Sequence, residues 1–158
     1  MPVPPEYQRA TDDFYAFLVD VRDTAGLATT HQTFTTVQGV LRVFRRRIEV
    51  REAIRFAGVL PPGLRALFVA DWDPDEPRRA FESRQAMTDE VRALRPEHNF
   101  APDSAIGDVA SALWRHVDAT ALRRVLAELP AGTAEFWKAA PGGAGSEFRV
   151  PSSETGAG

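Results

Sequence analysis

Apolar residues recur along this chain at helical spacing. Phe14, Phe17, Leu18, Val21 and Ala25 fall at i, i+3, i+4, i+7 and i+11, which is one face of a first helix. Asp12 and Asp13 stand at its start, where carboxylates suit free N–H groups and the helix dipole, and Gly26 is placed to end it. A second helix is predicted from Thr29 or Thr30, burying Val37, Val40, Leu41, Phe44 and Ile48. A third, from about Val50, offers Ala53, Phe56, Ala57 and Leu60. Pro61 and Pro62 stop it and open a short fourth helix carrying Leu64, Leu67, Phe68 and then Trp72. No stretch alternates with period two over a strand's length, so no sheet is expected.

The pattern then returns. With a shift of 69 residues, from Val37 to Ile106, and without a gap, Val40 meets Val109, Leu41 meets Ala110, Phe44 meets Leu113 and Ile48 meets Val117. Leu60-Pro61 meets Leu129-Pro130, Gly63 meets Gly132, and Leu67-Phe68 meets Phe136-Trp137. A helix pair matching by chance would not also keep Leu-Pro-x-Gly in register, so the pattern reads as a tandem duplication. The second copy is worn at its start. Its first helix, about 79–95, carries Phe81, Met87, Val91 and Leu94, and the stretch before Ile106 is about one helical turn shorter, with Asp103 or Ser104 as the cap.

Either copy alone has few large apolar residues. The expectation is an all-α fold in which two tandem four-helix repeats, about 10–73 and 79–139, pack as one helical bundle domain. Pro2, Pro4 and Pro5 predict an extended arm over residues 1–9. Residues 140–158, rich in Gly, Ser, Pro and Ala, predict a disordered tail whose only apolar handles are Phe148 and Val150.

The stretch "RRRIEVREAIRFAGVLPPGLRALFVADWDP" resembles the repeat signature of the prokaryotic domain of unknown function 2267 family. There a helix ends in Leu-Pro and is followed by a short helix with an aliphatic-aromatic pair and then Trp. The resemblance covers about residues 14–139 and includes the second Leu-Pro. It implies an all-helical duplicated domain from bacteria or archaea, and it carries no activity, ligand or catalytic residue with it. This chain departs from the pattern at Thr133, where an apolar residue is expected, and at Trp137, which stands where the first copy has Phe68.

Composition narrows the chemistry. The chain lacks Cys, which removes disulfides, thiolate metal sites and a Cys nucleophile. Its N-terminus has neither a basic start nor an apolar core, and no apolar run approaches the roughly 20 residues that span a bilayer. No membrane association and a cytoplasmic location are therefore expected. Net charge is −3, and of the 19 Lys and Arg residues all but Lys138 are arginine.

Arg42, Arg45, Arg46, Arg47, Arg51 and Arg55 crowd one stretch. On a wheel of about 100° per residue, Arg42 and Arg46 point away from the apolar face while Arg45 and Arg47 flank it, which predicts a solvent stripe. Such a stripe suits nucleic acid or another anionic partner. Trp114 stands in register with Arg45, a flank position, and is the aromatic best placed to cover the joint between copies or a partner.

Elsewhere the patterns fail. Asp71, Asp73, Asp75 and Glu82 match four positions of a calcium loop, but Glu76 occupies the position that needs Gly, so the segment reads as a solvated linker. His31, His98 and His116 lack a ligand pattern, and Asp20/Asp23 and Asp89/Glu90 read as solubilising surface charges. No G-x-S-x-G or phosphate loop is present, and neither a metal nor a cofactor is expected. The leading expectation is a non-enzymatic protein-interaction module, using a groove between units or the Arg42–Arg55 stripe, with an unidentified protein partner. A binder of nucleic acid ranks second, and a small-molecule enzyme with a cleft between the repeats third. Pairing with a second copy of the chain is left open.

Overall fold

The computed structural model describes residues 2–95 and 101–140. Nine helices and no strand are found among them. In chain order these are α1 (Pro5–Gln8), α2 (Ala10–Ala25), α3 (Thr30–Arg45), α4 (Val50–Ala57), α5 (Pro62–Val69), α6 (Arg84–Ala93), α7 (Ala105–His116), α8 (Ala119–Glu128) and α9 (Thr133–Phe136). None is long and apolar enough to cross a membrane.

Local chemistry sets most of the boundaries. Gly26 ends α2 in the left-handed region at φ 69°, where a side chain would be strained. Thr29 caps α3 by accepting from the Gln32 N–H. Glu49 and Glu52 form a capping box at α4, and Pro62 opens α5. The Asp118 carboxylate opens α8 by accepting from the N–H groups of Thr120 and Ala121.

Four expectations are corrected. Residues 5–8 form a helical turn rather than part of an extended arm, because Pro5 can start a helix and Pro4 and Pro5 carbonyls accept the next N–H groups. Asp12 and Asp13 lie in the first turn of α2 but make no capping bond, since that helix begins before them at Ala10. Helix α6 starts at Arg84 and not near 79, because the Ser83 hydroxyl claims the Ala86 N–H and fixes Ser83 in extended backbone. At α7, Ser104 occupies the cap position, yet its hydroxyl donates to the Asp108 carboxylate at 2.6 Å. The tail beyond Ala140 and His98 lie outside the described residues.

The bundle interleaves its elements. Helix α2 packs on α7, α3 packs on α6, and α4 packs on α8. Aromatic rings from both ends of the chain meet at its centre. Phe44 lies 4.8 Å from Phe56, 5.2 Å from Phe136 and 5.2 Å from Trp137, while Phe56 stacks on Trp137 at 5.4 Å. All these side chains are buried. Such ring pairs add roughly 0.5–1.5 kcal/mol each beyond their area burial. At Gly63, in the first turn of α5, and Gly132, before α9, a Cβ would come within 2.9 Å of Phe14 and 2.7 Å of Phe81, so both positions need glycine for close approach.

Candidate functional site

The Arg-rich stretch is not a solvent stripe. Arg45 and Arg47 are buried, at 5% and 2% exposure, and Arg46 is half-buried. Arg47 donates to the Glu90 carboxylate at 2.6 Å and to the Val43 and Ala80 carbonyls. Arg46 joins Glu90 at 3.0 Å and Glu76 at 2.9 Å. Burial by itself pushes the Glu90 carboxyl up, but hydrogen bonds from Arg47 and Arg46 outweigh it and hold the group below its ordinary value. Arg42 faces Asp71 at 3.6 Å, and Arg55 faces Glu128 at 3.8 Å. Of the six arginines, Arg51 and Arg55 alone are exposed. Acidic partners within the fold face Arg42, Arg46, Arg47 and Arg55, and Glu90 is a half-buried network member rather than a solubilising surface charge.

Arg45 has a different task. Its guanidinium donates to the Phe68 and Ala70 carbonyls, both at 2.9 Å, and so satisfies the C-terminal end of α5. Burial first, and then the charge of Arg42, lowers its pKa from the ordinary value. The Trp72 ring lies over it at 5.4 Å.

Trp114 does the same work at the other end of the chain. Its indole N–H donates to the Trp137 carbonyl at 2.7 Å. Trp114 and Trp137 stand 69 residues after Arg45 and Phe68, so donor and acceptor keep the register found in the sequence. Arg84 finishes this end by donating to the carbonyls of Glu135 and Phe136.

The two ends differ in what lies over them. Beside Arg45 there is a cleft of about 240 Å³, which Trp72, Pro74 and Glu76 help to line. Here the chain after α5 folds back across the end of α3, held by Trp72 on Arg45, Glu76 on Arg46 and Arg78 on Glu49. Beside Trp114 there is a larger groove of about 700 Å³, formed by α7, α8 and the residues around α9. Leu126, Ala127, Ala134 and Trp137 make it apolar, and Arg115, Arg123 and Lys138 bring positive charge to it. No carboxylate lines it among the described residues. Arg123 sits 5.9 Å from the Trp114 ring, and no ion pair is found for Arg123 or Lys138 among the described residues. Sequence reasoning singled out Trp114 but missed Arg123 and Lys138, which reach one groove only through the turn between α8 and α9.

Arg115 is already engaged. It donates to both oxygens of Asp20, at 2.9 and 2.6 Å, and His116 reaches the same carboxylate at 2.9 Å. The Arg115 hydrogen bond, opposed by burial and helped by His116, holds the Asp20 carboxyl below its ordinary value. His116 and Asp20 are thus partners in a bridge between α2 and α7, not free surface groups. Asp108 is the reverse case. It is 5% exposed and pairs with no cation among the described residues, and burial raises its carboxyl despite the Ser104 hydrogen bond. His31 is exposed, and no group of three His, Asp or Glu residues able to hold a metal is found among the described residues.

The family model described as "Uncharacterized conserved protein (DUF2267)" matches residues 14–136, more than half of the chain. No curated protein matches it.

Proposed function

The chain belongs to the DUF2267 family, and from that premise we propose that it is a non-enzymatic protein-interaction module whose contact face is the Trp114 groove. One observation carries the reading: an apolar groove of about 700 Å³ on which Arg123 and Lys138 stand without an ion pair, and which no carboxylate lines, among the described residues. Apolar clefts with a few polar groups are where ligands and partner side chains dock. Buried aromatic and arginine side chains are the groups that anchor interfaces. Asp20, Glu90 and His116 are engaged in separate ion pairs elsewhere, and no group of three His, Asp or Glu residues able to hold a metal is found among the described residues.

Duplication is part of the same reading. The equivalent hydrogen bonds of Arg45 and Trp114, the reciprocal packing of α2 on α7 and α3 on α6, and the 69-residue register support two copies of one four-helix unit. Nucleic acid is not favoured, because Arg45, Arg46 and Arg47 spend their charge inside the fold.

A photoreactive side chain placed at Ala127, compared with one at Arg51 on the former stripe, tests this in native lysate. The expected result is protein adducts concentrated at position 127. Adducts confined to position 51, or equal at both, would contradict it.

A further inference from the structure

We propose that the Trp114 groove takes a short acidic peptide with one aromatic anchor, the kind of segment the chain already lays across its other end. This rests on the interaction reading and on the 69-residue correspondence. The occupant's chemistry is displayed at the Arg45 cleft. There Trp72 covers Arg45, Glu76 pairs with Arg46 at 2.9 Å, and Asp71 faces Arg42 at 3.6 Å. The segment is short, turned and acidic: Asp71, at φ 53°, Asp73, Asp75 and Glu76 surround a single Trp, and the Glu76 N–H donates to the Asp73 carbonyl. Trp114, Arg115 and Ala119, which line the second groove, stand 69 residues after Arg45, Arg46 and Val50, which line the first cleft.

The second groove lacks such a cover among the described residues, and it is the larger of the two. Its accessible apolar lining of Trp114, Ala127 and Ala134, backed by the buried Leu126 and Trp137, suits an aromatic ring. Arg123 and Lys138 are both exposed and suit carboxylates on either side of that ring. The chain's own C-terminal sequence is the weaker fit. Between 141 and 158 it holds only two acids, Glu147 and Glu154, and Arg149 directly follows its one aromatic, Phe148.

The test uses a labelled synthetic peptide of sequence ADWDPDE, residues 70–76, titrated into the full-length chain by fluorescence anisotropy. Saturable binding is expected. It should weaken at least about tenfold when the peptide Trp becomes Ala, and again in the Ala127→Trp chain, which fills the groove. Arg123→Glu, a surface change that leaves packing intact, should weaken it several-fold, and so should Asn and Gln in place of the peptide's acids. Rising salt should erode binding to wild type more than binding to Arg123→Glu.

Absence of saturable binding, or binding indifferent to both Ala127→Trp and Arg123→Glu, overturns the proposal. Binding that emerges only in Phe148→Ala also overturns it, since the groove then belongs to the chain's own C-terminal segment. If the peptide fails while adducts still concentrate at position 127, the acidic-aromatic partner alone is wrong. If both fail, the interaction reading falls as well.

Discussion

The ends of α5 and α9 solve one problem in two ways. Each short helix ends in carbonyls that need donors. At α5 the donor is the Arg45 guanidinium, covered by Trp72, and at α9 it is the Trp114 indole, beside a groove without such a cover among the described residues. The buried Arg45 guanidinium takes both a ring and two carbonyls from α5 and the segment after it, which ties that segment down. An indole satisfies its single N–H with one bond and leaves an apolar face for something else. Replacing one donor by the other therefore separates a structural end from an available one.

The largest effect should come from the acidic hub on the structural side. Glu90→Ala strands Arg47, which is 2% exposed, without its carboxylate. The expected loss is about 3–5 kcal/mol of unfolding free energy in urea. The hub also sets a pH dependence. Glu90 and Asp20 both titrate lower in the folded chain than in the unfolded one. Their stabilisation is complete above the ordinary carboxylate range and is lost as pH falls through the lowered folded values. Thermal melts should therefore show Tm falling below about pH 4, with a shallower fall in Asp20→Asn.

Arg45→Ala removes one buried and one part-buried hydrogen bond from a charged donor and should cost about 2–3 kcal/mol. Trp114→Arg, which writes the first end's residue into the second, should cost less than about 1 kcal/mol, because arginine can reach the Trp137 carbonyl. Equal losses in denaturant melts would break the comparison. Asp108→Asn works in the opposite sense. A folded carboxyl raised above its unfolded value stabilises at low pH and costs stability as pH rises through it, so the amide should raise stability at neutral pH by about 1 kcal/mol. Smallest of all, Arg51→Glu should stay within about 0.5 kcal/mol of wild type, since its side chain is exposed.

Much of the fold is legible in the residue pattern, and less of the site. Apolar spacing with Thr29, Pro62 and Gly26 is local information, and it locates α2 to α5 closely. The start of α6 escapes it because one Ser83 hydroxyl outweighs the apolar spacing that extends back to Phe81. Helical phase marks Arg45 and Arg47 as flanking, but whether a flanking arginine reaches water or folds inward depends on its acceptors. Those are Glu90 and the Phe68 carbonyl, both far along the chain. A broken register was the useful signal at the groove: Trp114 in the place of Arg45 marks where the two ends diverge. Arg123 and Lys138 carry no such mark.

The open-groove account is tested most directly by the three indole N–H signals of the 15N-labelled full-length chain, titrated with unlabelled ADWDPDE. Trp114 should shift progressively with peptide while Trp72 stays in place. A shift confined to Trp72, or three unmoved signals at saturating peptide, would contradict the account.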